Sequence, residues 1–200
     1  MINRGLSLEE QIQEGVGFAG KKYKANKFIA YFQSFTNTCG PLEHLKEIYR
    51  SALNHEGMVG LSVGTRPDCI DHDILNLLES FQRDYMVWVE YGLQSAHDVT
   101  LSRINRGHDV ACFERAVAMT KAHGLKICTH IILGLPGETR EMMMDTARFV
   151  AALPIDGIKI HSLYVTRGTA LADLYFPVLC QRTGKGITVE ASPFKLKIFL

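Results

Sequence analysis

Apolar positions along the chain fall into short dense runs separated by longer stretches of helical periodicity. Five runs are rich in β-branched and aromatic residues and are predicted to be strands: Lys27–Gln33 (KFIAYFQ), Met58–Gly64 (MVGLSVG), Tyr85–Tyr91 (YMVWVEY), Lys126–Leu133 (KICTHIIL) and Ile155–Leu163 (IDGIKIHSL). Between them lie helix signals. Ser7-Leu8-Glu9-Glu10 has the form of a capping box, and Pro41 opens a helix carrying Leu42, Leu45, Ile48, Tyr49 and Leu53. Asp71 opens a third, with Ile74, Leu75, Leu77, Leu78 and Phe81 at helical spacing, and Asp109 precedes a fourth that closes at His123-Gly124. A fifth spans Glu138 to Leu153, and its Met142-Met143-Met144 run is expected to pack in the core. Strand–helix alternation predicts βαβ units and a parallel sheet covered on both faces. Two closures fit, an open doubly wound sheet or a (β/α) barrel. In both, ligands gather at the carboxyl ends of the strands.

The residues after each apolar run therefore carry the chemistry. Strand one leads into Gln33-Ser34-Phe35-Thr36-Asn37-Thr38, strand two into Gly64-Thr65-Arg66-Pro67-Asp68, and strand three into Glu90-Tyr91-Gly92-Leu93-Gln94-Ser95. Arg103-Ile104-Asn105-Arg106-Gly107-His108 follows a short helical turn later. Strand four leads into Gly134-Leu135-Pro136-Gly137-Glu138-Thr139, and strand five into His161-Ser162-Leu163-Tyr164. Each set has a plain explanation by itself: a tight turn for Gly-Leu-Pro-Gly, a surface ion pair for Arg66 and Asp68, a satisfied core histidine for His161. Five such sets at five consecutive strand ends favour a ligand-binding barrel mouth. Glycines there let backbone groups approach a flat or charged ligand, and Gly134–Gly137 before a helix could face an adenine or a phosphate. No GxSxG elbow, P-loop or HExxH occurs, so the residues alone reach no further than a polar small-ligand rim.

Composition narrows the classes. Hydrophobic residues make up 46% and charged residues 22%, which marks a folded chain rather than a disordered one. Lys+Arg 22 against Asp+Glu 21 gives +1, so no charge excess announces nucleic acid or an anionic membrane. No apolar run approaches the ~20 residues of a membrane span. The first residues lack a signal-peptide core, so a cytoplasmic location is expected. The five cysteines, Cys39, Cys69, Cys112, Cys128 and Cys180, include no CxxC and form neither a disulfide framework nor a metal knuckle. Each is expected to be a small buried hydrophobe.

The stretches YFQSFTNT, SVGTRPD, VEYGLQSA, INRGHD, HIILGLPGET and KIHSLYVTRGT, in this order over residues 1–175, resemble the radical S-adenosylmethionine (SAM) superfamily. The likeness is to its YhcC-type branch, with an elongator/coproporphyrinogen-dehydrogenase-like core. The resemblance implies an α/β fold, a partial (β/α)6 TIM-like barrel of parallel strands. It also implies a 4Fe–4S cluster that reduces SAM to methionine and a 5′-deoxyadenosyl radical, which abstracts hydrogen from a substrate. On this likeness Gln33, Ser34 and Thr36 take the place of the glycine-rich segment that binds the methionyl amino group through its backbone, with Thr65 beside them. Gln94 and Arg106 match contacts to the ribose and the methionine carboxylate, an amide for a diol and a guanidinium for a carboxylate. Gly134, Leu135 and Pro136 match the adenine side. Arg66, Asp68, Glu90, His161 and Tyr164 make up the expected substrate rim, with the substrate itself unread.

Departures from the family pattern are specific. Gly64 stands where the wider group often has a carboxylate, and His130 where several members have Asp. The family's CxxxCxxC loop, three thiolates around one open iron, does not occur in the sequence, so no metal ligands are expected. The motif alignment places Met1 just downstream of that loop. Lys27–Gln33 then corresponds to the family's second strand, and the barrel is expected to lack its first. Residues 1–175 are expected to be an incomplete core domain. Residues 176–200 (FPVLCQRTGKGITVEASPFKLKIFL) show no clean periodicity and are expected to be an atypical, frameshifted tail. SAM is therefore the small-molecule partner that the resemblance implies, and the chain alone is expected to be inactive because the cluster cysteines are absent. The alternatives are a cluster-free barrel enzyme using Arg66, Arg106 and His161 on a phosphorylated or carboxylated molecule, and a non-catalytic RNA- or protein-binding scaffold. Charge balance argues against the RNA reading.

Overall fold

Every predicted apolar run forms a strand, and every predicted helix forms between or before them, in a computed structural model that describes residues 6–33, 35–166 and 168–173. The order is α1 (Leu8–Tyr23), β1 (Phe28–Phe32), α2 (Leu42–Leu53), β2 (Met58–Thr65), a 3₁₀ turn (Pro67–Cys69), α3 (His72–Glu79), β3 (Met86–Gln94), α4 (Asp98–Arg103), α5 (Val110–Ala122), β4 (Lys126–Leu133), α6 (Arg140–Ala151) and β5 (Gly157–Ser162). The sheet order is β1-β2-β3-β4-β5, and all four pairings are parallel. A doubly wound sheet must reverse its strand order, whereas here each strand pairs with the next in sequence. Right-handed crossovers then put the connecting helices on one side, and strand twist curls the sheet into a half-barrel. The TIM-like partial barrel is the closure adopted.

Alternation along the strands assigns one face to the helices and one to the barrel interior. Ala30, Leu61, Val63, Val87, Val89, Tyr91, Leu93, Ile127 and Ile131 join Leu45, Tyr49, Leu75, Leu78, Phe113, Ala116 and Val117 in one apolar core. The interior face is polar, unlike the apolar sheet expected on both sides. Helix starts are fixed by side chains just after the loops that follow the strands. Ser7 and Glu10 form the predicted capping box, with Ser7 N donating to Glu10 Oε2 at 2.7 Å. Asp71 Oδ1 accepts from Ile74 N at 2.8 Å, Asp109 Oδ1 from Cys112 N at 2.7 Å, and Thr139 Oγ1 from Met142 N at 3.3 Å.

Four expectations need correction. β3 continues past Tyr91 to Gln94, with a register irregularity between Gly92 and Gln94 that carries the strand onto the rim. β5 begins at Gly157, because Asp156 serves as a corner: its carboxylate accepts from Lys121 Nζ at 2.5 Å and Ile127 N at 2.8 Å. The methionine run is not core. α6 buries Thr146 and Val150, one turn apart, which leaves Met144 47% exposed. Among the described cysteines Cys128 alone is buried; Cys39 is exposed, and Cys69 and Cys112 are half-buried. Cys180 and the expected tail lie outside the described residues.

Phe113 is fully buried and meets Tyr91 edge-to-face at 6.2 Å between ring centroids, joining α5 to the central strand. Phe113→Ala should lower stability by about 3–5 kcal/mol in urea unfolding with an unchanged m-value, because the neighbours cannot fill the void. A loss under about 1 kcal/mol would mean that this contact does not anchor the core.

Candidate functional site

The barrel interior centres on Glu90, in the middle of the central strand β3 and only 5% exposed. A carboxylate there must be supplied with donors. Ser62 Oγ, from β2, donates to Glu90 Oε1 at 2.5 Å. His130 Nε2, from β4, and Lys159 Nζ, from β5, both donate to Oε2 at 2.6 Å. Tyr31, from β1, donates as well, and its ring lies 4.2 Å under the Lys159 ammonium. Burial pushes the Glu90 pKa up, but the bonds from His130, Lys159, Ser62 and Tyr31 outweigh it and hold it at about 2. Burial and the Glu90 charge push the Tyr31 phenol up, and push the Cys128 thiol up to about 11. His161 stacks on His130, with its Nε2 3.3 Å from His130 Nδ1, and carries the network toward the strand ends.

Above this lies the rim. Gly92 sits between Glu90 and Gln94 on the same inward-facing row, and a Cβ there would collide with the Arg106 guanidinium and the Gln94 amide. Arg106 Nη2 and Nε donate to Gly92 O at 2.6 and 3.1 Å, and Nε also approaches His108 Nε2 at 3.1 Å. Gln94 holds φ at 74°, a left-handed conformation rare outside glycine, so the strand end is bent to place this amide. Arg66 lies under Gly107, whose missing Cβ would come within 2.6 Å of Nη2, and forms a two-pronged pair with Asp68. Burial and the neighbouring Arg66 both pull the Arg106 pKa down. Two neighbouring guanidiniums, of which Arg66 is the one paired with Asp68, favour an incoming anion.

The β1 side of the rim is organised by Asn37. Its Nδ2 donates to Phe32 O at 3.1 Å and Gly64 O at 2.8 Å, closing the loop over the end of β2. A Cβ at Gly64 would lie 3.0 Å from Phe32 O, so a side chain at this position is opposed by backbone. Gln33 Oε1 is buried and has no hydrogen-bond partner, an acceptor waiting for a donor. Thr36 is half-buried beside it; Ser34 lies outside the described residues. Thr65 Oγ1 lies 2.6 Å from Thr38 Oγ1 in a buried pair that ties the two loops together. On the β4 side, Gly134 and Gly137 adopt φ of 85° and 79°, Leu135 is buried, and Pro136 O accepts from Arg103 Nη1 at 2.8 Å. Tyr164 is exposed past the end of β5.

The structure thus brings Gln94 and Arg106 together around Gly92, pairs Arg66 with Asp68, and places Glu90 well below the rim. Sequence reasoning missed Tyr31, Ser62, Cys128 and Lys159. Each is a polar residue at an alternate position of an otherwise apolar strand, a local signal too weak to join them into one network before the strands are paired. No three cysteines converge among the described residues; the cluster with metal-ligating groups is Glu90, Cys128 and His130. The described residues therefore do not fit a 4Fe–4S cluster. Two features of the rim suit the polar ends of SAM, a buried acceptor without a hydrogen-bond partner at Gln33 and a guanidinium at Arg106.

Residues 8–150 match the model of the radical SAM superfamily. The chain belongs to the radical SAM superfamily. It is 46% identical to Bacillus subtilis (strain 168) YtqA over 86% of its own length and 54% of that relative, and 41% identical to Escherichia coli (strain K12) YhcC over 83% of its length and 53% of that relative. The chain spans about half the length of the curated relatives it matches. The solved archaeal Methanocaldococcus infernus Elp3 with an N-terminal deletion shares the fold, at a TM-score of 0.73 and 21% identity over 86% of this chain and 45% of that one. The general reaction of radical SAM proteins is SAM cleavage with a 4Fe–4S cluster. No helix among the described residues is long and apolar enough to cross a membrane.

The depressed Glu90 pKa has a signed consequence. Its unfolded value is near 4.5 and its folded value about 2, so its stabilisation is present above pH 4.5 and is lost as pH falls through about 2. Urea unfolding should show a loss on the order of 3 kcal/mol across that window. Glu90→Gln should flatten that part of the profile. An identical acid limb in both proteins would contradict the ionised, donor-saturated carboxylate.

Proposed function

We propose that this chain forms the SAM-binding rim and substrate cavity of a radical SAM enzyme. The observation that carries this reading is the Arg106–Gly92–Gln94 constellation at the end of the central strand. There a guanidinium and an amide pack into the space that a side chain on the glycine would fill. Arg106 binds the methionine carboxylate by a charge-assisted bond, and Gln94 meets the ribose diol. Gln33 Oε1 accepts from the methionyl ammonium, which supplies the donor its buried oxygen lacks. Gly134, Leu135 and Pro136 line the adenine side, with Leu135 as the buried apolar contact. In the family's general reaction SAM yields a 5′-deoxyadenosyl radical when a reduced cluster is bound. The residues here orient SAM and shield it from water, and the cavity over Glu90 and His161 faces the substrate. With no triad of thiolates in its sequence, this chain by itself binds SAM without holding a cluster.

Equilibrium dialysis of the purified chain against labelled SAM, without iron, tests the first half. Saturable binding is expected, weakened roughly 10- to 100-fold by Arg106→Ala through loss of a charged hydrogen bond. Equal retention by both proteins would sink the assignment. Anaerobic incubation with iron and sulfide tests the second half. It should leave no broad visible charge-transfer absorption, and a stoichiometric cluster would overturn it.

A further inference from the structure

Cys128, His130 and Lys159 are not used by SAM in the reading above, yet they surround the most buried charge of the barrel. We propose that Glu90, Cys128 and His130 form a site for a divalent transition-metal ion of the zinc type, the ion taking the place that the Lys159 ammonium holds at Glu90. Three observations carry this. The Cys128 Sγ, a Glu90 carboxylate oxygen and a His130 ring nitrogen all lie within 4.8 Å of one another. One thiolate, one imidazole and one carboxylate make a donor set that suits zinc or cobalt. Three protein ligands leave a fourth position open, as in catalytic rather than structural sites.

The surroundings are those of a metal site as well. A ligating histidine is held by a partner on its other ring nitrogen, and a ligating carboxylate by a further hydrogen bond. With Nε2 turned to the ion, His130 Nδ1 faces His161 Nε2 at 3.3 Å, and Glu90 Oε1 already accepts from Ser62 Oγ at 2.5 Å. The ligands sit on two paired strands, which fixes their spacing. Glu90 is opposite Cys128, and Gly92 opposite His130 leaves that ring room. Lys159 Nζ, 2.6 Å from Glu90 Oε2, marks a place where a cation is already accommodated. On binding, the Cys128 thiol gives up its proton to solvent, and the thiolate and the carboxylate then neutralise the divalent ion, which frees the ammonium to turn toward the exposed end of β5. His161 and the half-exposed Lys159 flank the way in. The site needs neither SAM nor an iron–sulfur cluster, so it stands or falls separately from the proposed function.

The test is aerobic titration of the full chain with Co²⁺, without sulfide, followed by competition with Zn²⁺. One equivalent of Co²⁺ should give the visible bands of a tetrahedral site and a thiolate-to-cobalt charge-transfer band, both bleached by Zn²⁺. Cys128→Ser should abolish the charge-transfer band. His161→Ala should weaken binding roughly 10- to 100-fold, as loss of an orienting partner does. Lys159→Met, which removes the competing ammonium, should tighten it by about tenfold. A variant with Cys39, Cys69, Cys112 and Cys180 all changed to Ser leaves the site intact and should keep the bands, whether or not Cys128→Ser folds. Loss of the bands in that variant, their persistence in a folded Cys128→Ser, or no stoichiometric binding by Lys159→Met would overturn the proposal.

Discussion

A carboxylate buried on the central strand of a curled sheet sets the terms for the rest of this molecule. Glu90 lies where a barrel of this kind would ordinarily be filled by branched aliphatic side chains. Its charge is held by donors from each of the other four strands: Tyr31 on β1, Ser62 on β2, His130 on β4 and Lys159 on β5. That arrangement works only if all five strands keep their register, because a one-residue slip would turn a donor to the helix side. The helical face supplies the stabilisation, through one continuous apolar core. The interior face supplies specificity, because a half-satisfied charge is worse than none.

The same strand links the interior to the rim. Glu90, Gly92 and Gln94 share one row of β3, so the buried carboxylate, the glycine over which Arg106 packs and the bent amide stand one above another. Arg106 reaches back from beyond α4 to Gly92 O, tying the loop after α4 to the end of β3.

The fold was largely readable in the chain, because helical caps and apolar runs are local signals. Ser7, Asp71 and Asp109 cap as their residue types demand, and the five runs form the five strands. The errors came where long-range contacts override local pattern. β3 is carried past Tyr91 by pairing with β4, and Asp156 leaves β5 to hold Lys121 and Ile127 N. Met142–Met144 looked like core because hydrophobicity was read without the phase of α6, which Thr146 and Val150 set. The rim residues were legible as strand-end motifs. The interior network was not. Ser62, Cys128 and Lys159 each look unremarkable in an apolar strand, and only their contacts across the sheet show that they converge on Glu90 from the interior face.

Backbone amide NMR of the chain during addition of SAM tests most directly whether the ends of these five strands form a cofactor site around Gly92. Saturable shifts are expected at Gly92, Gln94, Arg106 and Gly134, spreading to Glu90 and His130 below them. No shifts at saturating SAM, or shifts confined to the outer helices, would contradict it.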